Sequence, residues 1–231
     1  KSITLSTGLV AMTCLILVLG LMSVNRGTNF NRGLLLVGAE LDDSVQKAEN
    51  NESLYSKLDG NENAAALKAA VNQSSEKIMA LRLKLISETE GISIEDAKNA
   101  KVYLLNGQDN FDIPTHILFG GEEEFSANAL LASLESFQEQ LLQVYQPEIR
   151  DEMTAILPFE FSKSYEFMGD EMDWANYHLR HIPLSGVLSQ LSKMQLDIRN
   201  AETQALLYLL SQSAVSESPS GDQGASEAQS L

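Results

Sequence analysis

Charged residues are missing from a long stretch near the N-terminus, and cysteine is almost missing from the whole chain. The 22 residues from Ile3 to Val24 contain no charged side chain. The one cysteine, Cys14, lies inside that stretch, so no intrachain disulfide can form and cysteine usage does not define the redox compartment. The sequence also has no glycine-rich nucleotide loop, no Gly-x-Ser-x-Gly motif and no zinc-ligand spacing. We therefore expect a non-enzymatic protein without a cofactor.

Basic residues are scarce after the first 32 positions. The formal net charge is −16, and residues 1–32 contribute +3 through Lys1, Arg26 and Arg32, so the remaining 199 residues carry −19. Nucleic-acid binding requires a basic surface, and an anionic membrane surface would repel such an acidic body. The composition therefore excludes a nucleic-acid partner and favours a domain outside the cytoplasm.

The uncharged stretch is long enough to cross a membrane. A helix rises about 1.5 Å per residue, so this run matches a hydrocarbon core of about 30 Å. The apolar region of a cleaved signal peptide is shorter, about 7–15 residues, and ends at a small-x-small site. We predict that residues 1–24 form a retained transmembrane helix embedded in the lipid bilayer, followed by a juxtamembrane connector at 25–33.

One face of this predicted helix is small or weakly polar. Small residues let helix backbones approach closely in lipid, so we predict that this face packs against partner helices; the alternative is a plain anchor whose hydroxyls bond to their own backbone. The helix has no ionisable group inside it, so a partner would have to supply any proton-carrying carboxylate. Lys1, at the membrane edge, either pairs with such a group or extends to the headgroups. The predicted packing residues are Thr4, Thr7, Gly8, Ala11 and Cys14.

Helical periodicity dominates residues 34–212, for which we predict an all-α bundle of about four long helices. The helices are expected at about 34–58, 64–87, 127–144 and from Leu184 to Tyr208, and the first two should form an antiparallel hairpin around the turn at 59–61. Gly91 is expected to end the hairpin as a helix C-cap. Residues 111–115 and 120–121 are expected to be irregular, and 147–183 to form a mixed insert. Residues 213–231 are rich in Ser, Gly and Glu, which predicts a low-complexity tail or linker. The apolar positions expected on the inner face of the first helix are Leu34, Val37, Leu41, Val45, Ala48 and Tyr55.

Two of the three histidines lie close together in the sequence. His178 and His181 are three residues apart and follow Asp170, Glu171 and Asp173, so a metal site is conceivable there. Ordinary solvated or core-edge histidines are the favoured interpretation, and no metal ligand is assigned.

Three stretches together resemble one family. The last helix follows Trp174 and Pro183, and it contains Leu-Ser-Lys-Met-Gln at 191–195 and Asp-Ile-Arg-Asn-Ala-Glu at 197–202. The Asp-Ile-Pro-Thr sequence at 112–115, followed by the glycine pair at 120–121, and the N-terminal span fit the same pattern. The chain in this respect is similar to the GldM/PorM family of gliding-motility and type 9 secretion motor proteins.

This resemblance implies a mechanism. Proteins of the family dimerise, and their paired spans sit inside a ring of GldL-like helices in the bacterial inner membrane. The ring carries a membrane carboxylate and uses proton flow to drive rotation, which the periplasmic part passes toward downstream periplasmic and outer-membrane components. The resemblance therefore implies a cytoplasmic N-terminus and a periplasmic body. The alternative is a single-span periplasmic sensor or adaptor with a four-helix bundle.

Overall fold

The computed structural model of the chain describes residues 33, 36–161, 163–167 and 169–216. The predicted transmembrane helix at 1–24 and most of the connector at 25–33 lie outside the described residues, as does most of the predicted tail. Within the described part, no helix is both long enough and apolar enough to cross a bilayer.

Four long helices form the body, as the periodicity predicts. Helix α1 occupies residues 36–55 and continues into the 3-10 turn Ser56–Leu58; α2 spans Glu62–Glu90, α5 spans Ala127–Gln143 and α8 spans Leu184–Ser216. Helix α8 therefore continues four residues past the expected boundary at 212. The shorter elements between them are α3 (Ile94–Asn99), α4 (Asp112–Gly120), α6 (Arg150–Ile156) and α7 (Trp174–Leu179), with 3-10 turns at Val102–Leu104, Glu123–Phe125 and Pro147–Ile149.

Local capping chemistry sets the helix boundaries. The Asn61 side chain accepts a hydrogen bond from the backbone N–H of Ala64 and so begins α2, directly after the predicted turn. Gly91 ends α2 with φ of 65°, a left-handed conformation that glycine adopts without steric cost. Ser93 and Ser126 cap α3 and α5 in the same way as Asn61 caps α2. The predicted C-cap at Gly91 is confirmed.

Residues 112–115 and 120, which were expected to be irregular, belong instead to α4, so that prediction is wrong for them; 111 and 121 lie outside the helix. Pro114 is the third residue of α4, where a helix needs no backbone N–H, so proline does not interrupt it. The Asn110 side chain accepts the hydrogen bond of the Ile113 N–H and stabilises the first turn. Gly120 is the last residue of the helix and Gly121 leads out of it.

A small antiparallel hairpin is the one exception to the all-α architecture among the described residues. Strand β1 (Tyr165–Phe167) pairs with β2 (Asp170–Met172), with Tyr165 opposite Met172. Gly169 has φ of 91° in the connecting turn, which favours glycine there. The hairpin lies within the predicted mixed insert, between α6 and α7.

Helix α2 lies at the centre of the apolar core and packs along both α5 and α8. Ser74 on α2 bonds to Ser133 on α5, and Arg82 on α2 bonds to Ser192 on α8. The predicted apolar stripes of α2 and α8 are buried, which confirms their orientation. Large fully buried side chains occur on all three helices: Leu67, Ile78, Leu81, Leu85 and Ile86 on α2, Leu130, Leu134, Phe137 and Leu141 on α5, and Leu184, Leu188, Leu191, Ile198 and Leu206 on α8.

Helix α1 runs antiparallel to α2 and parallel to α8. Lys68 on α2 forms an ion pair of 2.7 Å with Glu52 on α1, on opposite sides of the turn at 59–61. Glu40 interacts with Lys193, whereas Asn51, further along α1, bonds to Glu202, further along α8. The chain therefore enters the domain at the end where α8 begins and leaves it at the end where α8 finishes, about 50 Å away at 1.5 Å per residue.

Candidate functional site

The residues predicted to pack against partner helices, Thr4, Thr7, Gly8, Ala11 and Cys14, lie outside the described residues, as does Lys1. Their role stays a prediction. Within the described part of the chain, no group of three or more His, Cys, Asp or Glu side chains is placed to hold a metal ion. The chemically most unusual arrangement in that part is the contact between α1 and α8.

The buried face of α1 is narrow and partly polar. Its fully buried positions are Val37, Ser44 and Asn51, which are seven residues apart, and Leu58 continues the series in the following turn. Such spacing is typical of a two-helix coiled-coil seam. Among the described residues, Val37 is the one apolar side chain of α1 in the buried core, whereas α8 buries apolar side chains along its length from Leu184 to Leu209. Apolar packing therefore contributes less to holding α1 than to holding α2, α5 and α8.

Val45 lies on the outside of α1, contrary to the sequence-based expectation. It is 59% exposed, whereas the neighbouring Ser44 is 2% exposed. The reason is that the buried face follows a seven-residue repeat through Val37, Ser44 and Asn51, and Val45 falls one residue outside that repeat.

A buried carboxylate joins the two helices. Glu202 on α8 is 1% exposed, and its Oε2 accepts hydrogen bonds from Asn51 Nδ2 at 2.8 Å and from Arg199 Nη1 at 3.0 Å. Its Oε1 accepts from the Tyr55 hydroxyl at 2.8 Å. Both oxygens therefore have partners, as a buried charge requires. We name the group Asn51, Tyr55, Arg199, Glu202 and Thr203 the polar seam.

Asn51 uses both ends of its amide in the polar seam. Its Oδ1 lies 2.9 Å from the Thr203 hydroxyl, which also lies 2.8 Å from the carbonyl oxygen of Arg199. The single hydroxyl proton of Thr203 serves one of these acceptors at a time. A buried asparagine at such a position fixes the register of paired helices, because any shift leaves its amide unpaired.

The Tyr55 hydroxyl remains a hydrogen-bond donor throughout the physiological pH range. Burial, and then the neighbouring Glu202 carboxylate, raise the pKa of the Tyr55 hydroxyl above its ordinary value. The hydroxyl therefore stays protonated and keeps its hydrogen bond to Glu202. Both donors from α1 to this carboxylate, Asn51 and Tyr55, are uncharged.

A charged side chain of α1 lies near α8 closer to the start of the helix. Glu40 is within electrostatic range of the ion pair between Lys193 and Asp197 on α8, and burial raises the pKa of the Glu40 carboxyl, an effect that Lys193 opposes. Its Oε2 is buried without a hydrogen-bond partner. The polar seam is therefore the level at which hydrogen bonds fix α1 against α8.

Sequence reasoning did not find the polar seam. Tyr55 was assigned to an apolar face, and Arg199 and Glu202 entered only as part of the family pattern. The available signal was Asn51, which occupies a buried position in the seven-residue series of α1. Asn51 and Glu202 are 151 residues apart, so the partner of that asparagine cannot be read from local periodicity.

Comparison with known families gives a match over the helical body that contains the polar seam. The family described as the GldM N-terminal domain matches residues 35–212. The chain belongs to the GldM family. The match runs from the start of α1 through most of α8, so it includes both sides of the polar seam, and it confirms the resemblance found in the sequence. The GldM family is associated with gliding motility and type 9 secretion. No curated protein matches the chain.

Proposed function

We propose that this GldM-family protein is a non-enzymatic component of a proton-driven inner-membrane motor. Residues 1–24 cross the inner membrane with the N-terminus in the cytoplasm, and the helical body lies in the periplasm. Two copies dimerise, and their spans pack inside a ring of GldL-like membrane helices that carries the proton-titrating carboxylate. The body passes rotation on to downstream periplasmic and outer-membrane components for gliding motility, type 9 protein secretion or both.

The observation that best supports this proposal, beside the family, is the path of the chain through the bundle. The chain enters through α1 at one end and leaves through α8 at the other, about 50 Å away. A domain with its two connections at opposite ends suits the transmission of motion along its length. A ligand sensor has no such need for opposite ends.

The polar seam has a defined role in this proposal. Motion that reaches α1 from the membrane must pass to α8 before it leaves the domain. The hydrogen bonds of Glu202 with Asn51 and Tyr55 resist sliding and rotation of α1. The seam therefore makes α1 and α8 move as one unit.

The first test is the mass of the assembly that co-purifies with this chain in mild detergent. The proposal predicts two copies of the chain with several copies of a small membrane protein. Replacing Gly8 and Ala11 by leucine should disrupt that assembly, because the larger side chains prevent close helix packing. A lone monomer or dimer of the wild-type chain would contradict the motor assignment and favour the sensor or adaptor alternative.

A second test separates assembly from transmission. Glu202→Ala should leave the membrane assembly intact, since it lies in the body, but should reduce motility or secretion in the host. Glu95→Ala is the matched control, because Glu95 also forms an i,i+3 ion pair within one helix, with Lys98, but at the surface. Equal activity of the two variants would contradict a role of the seam in transmission.

A further inference from the structure

A groove of about 630 Å³ opens between the C-terminal half of α2, helix α4 and the 3-10 turn Glu123–Phe125. This volume lies within the range of pockets that hold ligands or peptide side chains. The groove is separate from the polar seam, since its lining residues come from α2, α4 and residues 121–125, whereas the seam residues belong to α1 and α8. Binding in the groove would leave the contacts between α1 and α8 unchanged.

The floor of the groove is apolar. Ile113 and Ile117 of α4 line it together with Phe125. Gly121 makes the floor possible, because a Cβ atom there would lie 3.1 Å from the carbonyl oxygen of Ile117 and 3.2 Å from that of His116. The chain can therefore pass directly from the end of α4 into the 3-10 turn Glu123–Phe125, which places Phe125 beside the groove. Phe111, immediately before α4, is 46% exposed and adds an apolar ring beside Asp112.

The rim of the groove is acidic. Glu88, Asp112 and Glu122 line it beside a single lysine, Lys84. The Lys84 Nζ lies 3.1 Å from the Glu88 carboxylate and 3.3 Å from that of Glu122, and it sits 5.5 Å from the ring centre of Phe125. These two carboxylates raise the pKa of Lys84. Three carboxylates against one ammonium leave an excess of negative charge around an apolar floor.

We propose that this groove binds a short peptide segment of another protein, in which a large apolar side chain is flanked by arginine or lysine. The apolar side chain would occupy the floor, and the basic side chains would pair with the acidic rim. A second copy of this chain is a poor source of such a segment, because its body carries the large negative charge described above. An anionic lipid surface is repelled by the same rim.

The test uses the full chain in nanodiscs of neutral phosphatidylcholine, with empty nanodiscs as the blank. The probe is the fluorescein-labelled peptide Gly-Arg-Leu-Phe-Arg-Gly, and its matched control is Gly-Glu-Leu-Phe-Glu-Gly. We expect saturable fluorescence anisotropy with the arginine peptide, an affinity that falls as salt rises, and about tenfold weaker binding of the glutamate peptide because its charges meet the same rim.

Charge-neutralising variants locate the binding to the groove. The double variant Glu88→Gln, Asp112→Asn should bind the arginine peptide about fivefold more weakly, since exposed charge pairs each contribute only modestly to affinity. The double variant Glu135→Gln, Glu139→Gln changes the net charge equally on the exposed side of α5 and should bind as the wild type does. If the groove variant loses helicity by circular dichroism, the single variant Glu88→Gln replaces it, since Glu88 is exposed.

Three results would overturn the proposal. One is the absence of saturable binding of the arginine peptide. Another is equal binding of the arginine and glutamate peptides, and the third is an equal loss of affinity in the α5 control variant. None of these results depends on membrane assembly or motility, so the outcome is independent of the proposed motor function.

Discussion

Removal of the Glu202 carboxylate is the perturbation that the structure describes most completely. Glu202→Ala leaves Arg199 as a nearly buried charge without its ion-pair partner, since the Arg199 side chain is 14% exposed. It also removes the acceptor of the Asn51 amide and of the Tyr55 hydroxyl. Three donors thus lose one acceptor group, in a region from which water is largely excluded.

The expected magnitude follows from these losses. Removing one partner of a buried, hydrogen-bonded ion pair costs about 3–5 kcal/mol, because the other charge stays buried and unpaired. Arg199 retains some access to solvent, so we expect the free energy of unfolding to fall by about 3 kcal/mol. Glu95→Ala breaks an exposed pair of the same spacing and should cost less than about 1 kcal/mol.

Urea unfolding of the purified chain measures this difference. Trp174 is the only tryptophan and is 6% exposed, so its fluorescence reports loss of the packed insert. Hydrogen exchange followed by mass spectrometry locates the effect along the chain. In Glu202→Ala, exchange should increase first in the peptides of α1, because α1 has the least apolar packing among the long helices.

Two results would refute the reasoning. A loss of stability in Glu202→Ala no larger than that in Glu95→Ala would show that the seam does not stabilise the fold. Faster exchange in α5 rather than in α1 would show that the seam does not hold α1.

A double-mutant cycle that combines Glu202→Ala with Asn51→Ala should give a coupling energy of about 1–2 kcal/mol, because the Glu202 and Asn51 side chains share a buried hydrogen bond.

Three further predictions follow from single positions. Burial lowers the pKa of Arg82 to about 10, and no carboxylate pairs with it among the described residues, so Arg82→Met should raise the midpoint of thermal unfolding, measured by circular dichroism. Burial, and then Lys193, lower the pKa of His178 below its usual 6.5. The folded state therefore binds this proton less readily than the unfolded state, so the free energy of unfolding falls as the pH drops below 6.5. A His178→Phe variant should lose that part of the pH dependence in urea titrations. Gly91→Ala should lower the free energy of unfolding by about 1 kcal/mol in the same assay, because Gly91 has a positive φ.

The long helices were predictable because their apolar residues repeat locally. The stripe of α8 from Leu184 to Ala205 is buried as predicted, and Asn61 and Gly91 cap α2 where the turn residues indicated. Such signals depend only on residues within a few turns of one another. They therefore specify each helix without specifying its neighbour.

The errors have identifiable physical causes. Helix α4 contains Pro114 in its first turn and Gly120 at its end, where a helix tolerates both, so these residues do not make the segment irregular. The β1–β2 hairpin is too short to produce an alternating pattern. Val45 continues a near-helical apolar spacing, but the buried face of α1 follows Val37, Ser44 and Asn51 instead, and Asn51 bonds to Glu202 on α8.

The acidic groove was not predictable from sequence. Its rim combines Glu88 from α2 with Asp112 and Glu122, and no local pattern brings these carboxylates together. Glu122 belongs to the acid run at 122–124, which by itself predicts only a solvated surface. What distinguishes this set is its position around the floor formed by Ile113 and Ile117.

The central claim is that α1 and α8 move as one unit when the protein transmits motion. The direct measurement is motility or secretion in the host with the variant Asn51→Cys, Thr203→Cys in a Cys14→Ser background, before and after treatment with a short bis-maleimide, which adds one cysteine thiol at each end. The two side chains contact each other in the wild type, and the substitutions remove the polar contacts between them. The account predicts low activity before cross-linking and recovery after it. Activity that stays low or falls further after cross-linking would show that α1 must move against α8, which would contradict the claim.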